Sequence, residues 1–352
     1  MVDNVKKISL VFDWGNTVMK EFQEYHGAMV DWPKVEAMPG IKQALGELQR
    51  EYTLFLGTNA KNSDGPQIRQ ALKRAGLDGY FESIFTFNET QANKPELGFY
   101  RSIEQLTGGR PSQMLMIGDL YDKDITGAKA AGWKAAWYNR QGEPCQAALP
   151  MHDLEIFDLK SLPAALKEHP LPEVQTCLLW LQQNGASTHL LVHVQLVAAI
   201  AYQVAVWIRA MDISVNPILA HRGGLLHDMA KMHQSEGMDH GQAAESLLEG
   251  MGEPALARIA DHHMLFALLD EKRAASTCEE KLVYYADKLV EKNELVSVDK
   301  RLAGLQKRYR IDSGVMMEQL TPRIKALEAE ICSLIGATPE DLLERLKKGM
   351  RN

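Results

Sequence analysis

The chain has 352 residues, of which 45% are hydrophobic and 24% are charged, and its formal net charge is −7. This length favours two domains over one, and the composition is that of a globular protein with ordinary cores. The acidic balance argues against general nucleic-acid binding and against anionic membranes, so a phosphorylated ligand would need local cations or metal ions.

The first half alternates short apolar runs with helical patterns. Four apolar runs predict buried parallel strands: Lys7–Asp13, Tyr52–Thr58, Ile84–Phe87 and Gln113–Asp119. Three helical patterns lie between or after them: Ile41–Arg50, Gln67–Gly76 and Asp122–Gly132. This alternation predicts an α/β domain over residues 1–168, built on a doubly wound parallel sheet.

The second half is predicted to be all-helical over residues 173–352, after a proline-rich join near Glu168–Glu173. Its charged, amphipathic tail, Gly314–Asn352, is expected to pack on this core or on another subunit, which makes a homodimer an expectation. The stretch Leu190–Ile208 lacks formal charge and approaches the length of a membrane span. We favour a buried helix over a membrane span, because the stretch carries polar side chains and has no flanking aromatic belts.

The cysteines favour a reducing compartment. The four of them are widely spaced and form no CxxC pair, which disfavours a disulfide framework and a thiolate zinc site. The apolar run Ile8–Phe12 is too short for a signal peptide. A cytoplasmic protein without a membrane anchor is therefore expected.

Polar residues end three of the predicted strands, at Asp13, Thr58 and Asp119. The carboxyl ends of parallel strands meet at one edge of a sheet, so these residues should converge. Phosphoryl transfer to an aspartate needs a carboxylate nucleophile, a metal, a cation and a hydroxyl or amide donor. Asp13, Thr58 and Lys94 supply the nucleophile, the hydroxyl and the cation, while Asp119 and Asp124 supply further carboxylates.

The segments FDWGNT, GTN, NKP and GDLYDKD carry these residues and resemble, in that order, the four motifs of the haloacid dehalogenase superfamily. The resemblance implies that Asp13 is the nucleophile, Thr58 a phosphate-binding hydroxyl and Lys94 the cation. It also implies that Asp119 and Asp124 hold Mg²⁺, together with the backbone carbonyl of the residue at position 15.

The sequence departs from this family at Gly15. Phosphatases of the family usually place a second aspartate there, as general acid and base, a role worth roughly 10²–10⁴-fold in rate. Three outcomes stay open: the domain acts on good leaving groups only, His26 or Glu21 substitutes, or the domain binds phosphate without turnover. The gaps from Asp13 to Thr58 and from Thr58 to Lys94 hold no large cap domain.

The second half contains histidines and aspartates at wide spacing: His193, His227, Asp228, His240, His262, His263 and Asp287. Imidazole and carboxylate without thiolate suit a hydrolytic site for Fe, Mn, Co, Ni or Zn. A metal pair can activate water and clamp a phosphate, and Asp228 could bridge such a pair. His189 lies one helical turn before His193 and competes with it.

The order of these residues resembles the HD superfamily of metal-dependent phosphohydrolases. The resemblance implies that His193, His227, Asp228 and Asp287 form the basic metal set, and that His240 and His262 complete a second metal site. His263 is a further ligand, and Lys231 positions phosphate. Within the superfamily the strongest resemblance is to bacterial hydrolases that cleave diadenosine tetraphosphate, through the extra His-Gly and the late Ala-Asp helix.

Together these features predict a two-domain phosphohydrolase that acts on phosphate esters or anhydrides of a small molecule, a nucleotide. Catalysis by metal-activated water is expected in the helical domain, with one or two transition metals, beside a second, impaired Mg²⁺ site in the α/β domain. The alternative is that the α/β domain is a phosphate-ligand sensor or scaffold that regulates the helical enzyme. A third interpretation makes the whole protein a binding module with structural metals.

Overall fold

The computed structural model describes residues 8–143, 145, 149–232, 237–309 and 314–349. The chain forms two compact units, one of Met1–Glu143 with Met151–Pro170 and the other of Pro144–Pro150 with Leu171–Asn352. The change of unit at Pro170 falls within the predicted join. The sequence placed Pro144–Pro150 in the first domain, whereas the structure groups it with the second.

The first unit contains, in its described residues, a six-stranded parallel sheet in the order β3-β2-β1-β4-β5-β6. The strands are β1 (Ser9–Phe12), β2 (Thr53–Gly57), β3 (Ser83–Phe85), β4 (Met114–Gly118), β5 (Lys134–Tyr138) and β6 (Leu154–Ile156). The helices are α1 (Ile41–Leu48), α2 (Gly65–Arg74), α3 (Phe87–Thr90), α4 (Leu97–Thr107), α5 (Thr126–Ala130) and α6 (Leu162–Ala165). The predicted α/β class is confirmed, and β1 lies between β2 and β4, so the residues that follow these three strands share one edge.

The second unit is helical, as predicted. Its helices are α7 (Val174–Gln183), α8 (Thr188–Arg209), α9 (Pro217–Leu226), α10 (His240–Gly250), α11 (Pro254–His262), α12 (Cys278–Lys288), α13 (Val298–Tyr309), α14 (Gly314–Leu334) and α15 (Pro339–Gly349). One departure is a short antiparallel hairpin of β7 (Val290–Glu291) and β8 (Glu294–Leu295). Its turn residues Lys292 and Asn293 have φ of 52° and 65°, the left-handed conformation that a two-residue hairpin requires.

Helix α8 is the central helix of this unit. By length and hydropathy alone it could cross a membrane, but 61% of its most apolar window is buried within the protein. It packs against α9 and α12, and it carries His193 on a buried face. The structure therefore accounts for the apolar stretch as a core helix, the alternative that the sequence favoured.

The C-terminal tail packs on the core of its own unit. Apolar residues of α14 and α15 join the main hydrophobic cluster, among them Leu320, Ile324, Leu342 and Leu346. Their burial accounts for the amphipathic pattern without a second subunit. The amphipathic tail therefore no longer supports the expected homodimer.

Gly224 allows α8 and α9 to approach closely. A Cβ at this position would lie 2.5 Å from Ala198 Cα and 2.8 Å from Ala198 N, which are backbone atoms of α8. We predict that Gly224→Ala lowers the free energy of unfolding of the helical unit by about 1–3 kcal/mol, the usual cost of overpacking.

The matched control is Gly250→Ala, because a Cβ at Gly250 in α10 would meet open space. That change should stabilise the protein by about 0.5–1 kcal/mol, through lower backbone entropy of the unfolded chain. Urea denaturation followed by circular dichroism compares the two variants. Equal urea midpoints for the two variants would show that the close approach of α8 and α9 tolerates a side chain at position 224.

Candidate active sites

The first site lies at the carboxyl edge of the sheet. Asp13 follows β1, Thr58 follows β2 and Asp119 follows β4, while Lys94 lies between α3 and α4. Asp124 comes from the π-helical turn Tyr121–Ile125. Carboxylate oxygens of Asp13, Asp119 and Asp124 lie within 4.8 Å of one another, so the structure brings the predicted acidic group together.

Lys94 is the buried cation of this site. Its Nζ contacts Asp13 Oδ1 and lies 2.6 Å from Asp124 Oδ1. Burial opposes its charge, but the carboxylates of Asp124 and Asp13 more than compensate and raise the pKa of Lys94. The side chain of Asn59 fixes the backbone here, because it both donates to Lys94 O and accepts from Lys94 N at 2.8 Å. Asn59 was not among the site residues predicted from the sequence.

The two remaining carboxyl groups of this site, those of Asp119 and Asp124, have raised pKa values. Burial, with the charge of Asp13, raises the pKa of Asp119 to about 6. Burial also raises the pKa of Asp124 to about 7, although Lys94 opposes the shift. Three clustered carboxylates with one lysine leave an excess of negative charge, which a divalent cation with oxygen ligands would offset. The donor set therefore fits Mg²⁺, which Asp13, Asp119 and Asp124 would hold.

Thr58 lies where a phosphate-binding hydroxyl is predicted. Its side chain is buried, and its Oγ1 accepts a hydrogen bond from Ala60 N at 3.0 Å. This bond leaves the hydroxyl proton of Thr58 available as a donor. A second hydroxyl, that of the fully buried Thr17, donates to Asp119 Oδ1 at 3.3 Å.

Glu21 fills the space beside Gly15. A Cβ on Gly15 would lie 2.6 Å from Glu21 Cδ, so the glutamate carboxylate stands where a side chain at position 15 would be. Asn16, at φ of 52°, holds the carboxylate through Nδ2 to Oε2 at 3.3 Å and accepts from Glu21 N at 3.2 Å. Burial, with the charge of Asp13, raises the pKa of Glu21. Of the two substitutes left open by the sequence, Glu21 is the one that lies at Gly15.

The second site lies in the helical unit, where five helices contribute ligands. His193 is in the second turn of α8, His227 and His263 follow the last residues of α9 and α11, His240 begins α10 and Asp287 lies near the end of α12. Their atoms form two groups that could each hold a metal ion: His193 with His227 and Asp228, and Asp228 with His240 and His263. Asp228 belongs to both groups.

The two carboxylate oxygens of Asp228 face different histidines. Oδ2 lies 3.6 Å from His193 Nε2 and 3.4 Å from His227 Nε2. Oδ1 lies 3.2 Å from His240 Nε2 and 3.4 Å from His263 Nε2. Each oxygen can therefore ligate a different metal ion, which is the bridging arrangement that the adjacent His and Asp suggested.

Asp287 completes the first of these groups. Its Oδ1 lies 3.1 Å from His193 Nε2 and 3.9 Å from His227 Nε2. Lys288 Nζ contacts Asp287 Oδ2 at 2.7 Å, and Arg301 Nη2 contacts Oδ1 at 3.5 Å. Neither cation had been identified from the sequence, because nothing in the local pattern marks them.

The imidazoles are oriented for metal binding by their backbone contacts. His227 Nδ1 lies 2.8 Å from Gly224 O, and His263 Nδ1 lies 2.5 Å from Ala260 O. A hydrogen on Nδ1 in each case leaves the Nε2 lone pair directed at the site. His193 Nε2, His227 Nε2 and Asp228 Oδ1 are buried, and their contacts with neighbouring ligand atoms, the shortest at 3.1 Å, lack hydrogen-bond geometry. A metal ion would satisfy buried atoms of this kind.

The charges of the site also suit a metal. Burial lowers the pKa of His193 and lowers that of His263 to about 4, so both rings are neutral at pH 7. Burial alone would raise the pKa of Asp228, but His227, His240 and His263 hold it well below its ordinary value. Neutral imidazoles around an ionised carboxylate are the protonation states that ligands require.

Other predicted residues lie outside this group or at its edge. His262 Nδ1 pairs with Glu280 Oε2 at 3.0 Å, and His263, not His262, has its Nε2 beside Asp228. His189 is exposed one turn before His193, which is buried. Lys231 Nζ lies 2.5 Å from Asp228 Oδ2, at the position from which it could contact a phosphate.

Family models match both halves of the chain. Residues 4–138 match the haloacid dehalogenase-like hydrolase family, and residues 190–291 match the HD domain. The chain is 30% identical over 128 residues to N-acylneuraminate-9-phosphatase of Mus musculus, an alignment that covers 36% of this chain and 50% of that protein. It is 35% identical over 107 residues to pyrimidine 5′-nucleotidase PynA of Streptococcus pneumoniae, covering 30% of this chain and 44% of that protein.

A solved structure of an uncharacterized protein from Listeria monocytogenes serotype 4b is 24% identical, with a TM-score of 0.40. The structural match covers 45% of this chain and 96% of the Listeria chain. The chain spans about half the length of the curated relatives it matches. The finer resemblance to diadenosine tetraphosphate hydrolases stays a prediction. The two family matches, together with the parallel sheet and the helical second unit, show that the chain joins a haloacid dehalogenase-like hydrolase domain to an HD domain.

Proposed function

We propose that the protein is a metal-dependent phosphohydrolase whose principal catalytic centre is the helical site around Asp228. The observation that supports this proposal most is that the two oxygens of the Asp228 carboxylate face different histidines. The histidine nitrogens lie 3.2–3.6 Å from these oxygens. Two ions bound there would activate water and polarise a phosphate. The substrate class is a phosphate ester or anhydride of a small molecule, and a nucleotide is the first candidate.

The chain's own residues supply the remaining functions at this centre. The neutral rings of His193 and His263 are ready to ligate without first losing a proton. Lys231, whose pKa is raised by Asp228 against the effect of burial, is a cation that can hold a phosphate oxygen. Histidine and carboxylate ligands accept Fe, Mn, Co, Ni or Zn, whereas the all-carboxylate first site suits Mg²⁺.

The first site offers a second route. The Asp13 carboxylate would attack phosphorus, the bond from phosphorus to the leaving oxygen would break, and that oxygen would take a proton from the Glu21 carboxyl group. A water molecule would then give a proton to Glu21 and cleave the aspartyl phosphate, which restores both side chains. Lys94 would offset the charge on the transferred group.

Glu21→Gln tests whether Glu21 acts as the proton donor. We expect hydrolysis of alkyl phosphates at the first site to fall by roughly 10²–10⁴-fold, because alkoxides leave poorly without protonation. The kcat/KM for p-nitrophenyl phosphate should fall far less, because it reports phosphoryl transfer to Asp13 and not the later hydrolysis, and that leaving group needs no proton. The rates are measured with Mg²⁺ and with Asp228 replaced by alanine, so that only the first site acts.

The exposed Glu24 provides the control, as Glu24→Gln removes a nearby acid outside the site. Parallel losses of kcat/KM for both substrates in the Glu21 variant would assign Glu21 to substrate binding or folding. An unchanged ratio of the two rates would therefore exclude a proton-donor role.

The proposed function is tested by phosphate release from a panel of mono-, di- and dinucleoside polyphosphates. Wild type, Asp13→Asn and Asp228→Ala are compared with Mg²⁺, Mn²⁺, Fe²⁺ and Co²⁺. Activity that disappears only in Asp228→Ala places catalysis in the helical unit and leaves the first unit as a partner or sensor. Activity that disappears only in Asp13→Asn reverses the proposed ranking of the two sites, and no release from any substrate rejects the phosphohydrolase.

Two finer points belong to the same proposal. The named relatives include a sugar phosphatase and a nucleotidase, which supports a small phosphorylated substrate. The cysteines are widely spaced and form no CxxC pair, which supports a reducing, cytoplasmic location.

A further inference from the structure

A pocket of about 340 Å³ opens beside the metal-ligand cluster of the helical unit. His193 and Lys231 line it on the side of the cluster, and Lys292 and Arg301 line it as well. None of the described residues that line it is acidic, although the chain as a whole has a net charge of −7. Three cationic side chains therefore meet at one pocket of an acidic protein.

The hairpin brings two of these cations together. Glu291 in β7 holds Arg301 Nη1 at 2.6 Å, and Lys292 follows it in the turn. Asn293 Nδ2 donates to His189 O at 3.2 Å, which fixes the turn to the first part of α8. The pocket wall is therefore built by tertiary contacts and does not depend on exposed side chains alone.

Arg301 and Lys292 both retain capacity for a ligand. The Arg301 side chain is 10% exposed, and its Nε is buried without a hydrogen-bond partner among the described residues. Lys292 is exposed and forms no ion pair with the described part of the chain. An unpartnered guanidinium nitrogen and a free ammonium group are donors suited to phosphate oxygens.

The balance of charge indicates how many phosphates the site can take. The cations Lys231, Lys288, Lys292 and Arg301 outnumber by one the carboxylates of Asp228, Asp287 and Glu291, so these side chains leave no negative charge to offset bound metal ions. The positive charge of two bound divalent ions would then have to be balanced by the substrate. A single phosphate group supplies about two negative charges, only half of what two such ions carry.

We propose that this pocket binds a second phosphate of the substrate, linked to the one that is cleaved, through Lys292 and Arg301. This inference rests on the proposed function and narrows it: the helical site selects phosphoanhydrides or diphosphates over phosphomonoesters. Lys231 contacts Asp228 and serves the phosphate at the metal cluster. Lys292 contacts no residue of that cluster and serves the second phosphate.

The test is equilibrium binding of methylenediphosphonate and methylphosphonate to the full-length protein. Both ligands have carbon–phosphorus bonds, which a phosphohydrolase does not cleave. Calorimetry is performed at one fixed concentration of free Mn²⁺, and each affinity is corrected with the Mn²⁺-binding constant of that phosphonate, measured without protein. Wild type is expected to bind the diphosphonate at least tenfold more tightly, roughly the effect of one added charge-assisted contact. Lys292→Gln should reduce this preference by about three- to tenfold and leave methylphosphonate binding unchanged.

Lys300→Gln is the matched control, because Lys300 is an exposed lysine next to Arg301 that does not line the pocket. Equal affinities of wild type for the two phosphonates overturn the inference. Equal weakening of both ligands by Lys292→Gln also overturns it, since Lys292 would then serve the first phosphate. Binding is measured without turnover, so a failure of the phosphohydrolase proposal shows instead as absent phosphate release.

Discussion

Asp228→Asn is expected to remove bound metal from both groups of ligands in the helical unit. The substitution keeps the volume but removes the charge and one of the two ligating oxygens, each of which faces a different pair of histidines. Loss of an outer partner of a metal ligand typically costs about 10–100-fold in affinity or activity, so we expect more than 100-fold here. Metal content after dialysis, measured by mass spectrometry, reports this directly.

A second readout is stability. Metal binding to the folded state raises the unfolding temperature, because the free energy of unfolding grows with the ratio of free ligand to its Kd. Mn²⁺ should therefore raise the unfolding temperature of wild type and of Asp299→Asn, a change at an exposed aspartate of α13. It should not raise that of Asp228→Asn. Full metal content in an inactive Asp228→Asn would show that Asp228 is not the bridging ligand.

Lys94→Met is expected to destabilise the first unit by about 3–5 kcal/mol, the usual cost of breaking a buried ion pair by removing one partner. Methionine keeps the length of the side chain but leaves the buried carboxylates of Asp13 and Asp124 without their shared cation. The denaturant dependence of hydrogen exchange in β1 and β4 measures the loss where it occurs. Lys73→Met, at an exposed position of α2, is the control.

Mg²⁺ distinguishes a charge effect from a packing effect in this variant. If the loss arises from the unbalanced carboxylates, added Mg²⁺ should restore part of the stability of Lys94→Met. A similar loss with and without Mg²⁺ would assign the effect to packing. Stability equal to that of wild type would mean that the Lys94 ion pairs contribute nothing to folding.

The adjacent histidines show where prediction from the sequence ends. The spacing placed both His262 and His263 near the metal site, but neighbouring residues on a helix point in directions roughly 100° apart. The rotation of α11 decides which ring faces Asp228, and the rotation is set by packing. In the structure His263 Nε2 lies beside Asp228, whereas His262 Nδ1 contacts Glu280 of α12.

For a related reason the sequence left the choice between Glu21 and His26 open and did not identify Arg301. The absence of an acid at Gly15 is legible in the sequence, but the return of Glu21 to this point depends on the turn at Asn16. Arg301 lies in α13, far along the chain from the His227-Asp228 pair. Only the hairpin at Lys292 brings it to the cluster.

The sequence by itself determined the two fold classes and the residue types of both sites, because apolar periodicity and strand-end or helix positions are local properties. It placed Asp13, Lys94, Asp228 and their partners in the order that the structure then brings together. The tertiary structure alone decided which oxygens of Asp228 face which histidines, the placement of Glu21 beside Gly15 and the cationic pocket. These features depend on distances between segments that are remote in the chain, and such distances are set by how helices and strands pack, which no local pattern encodes.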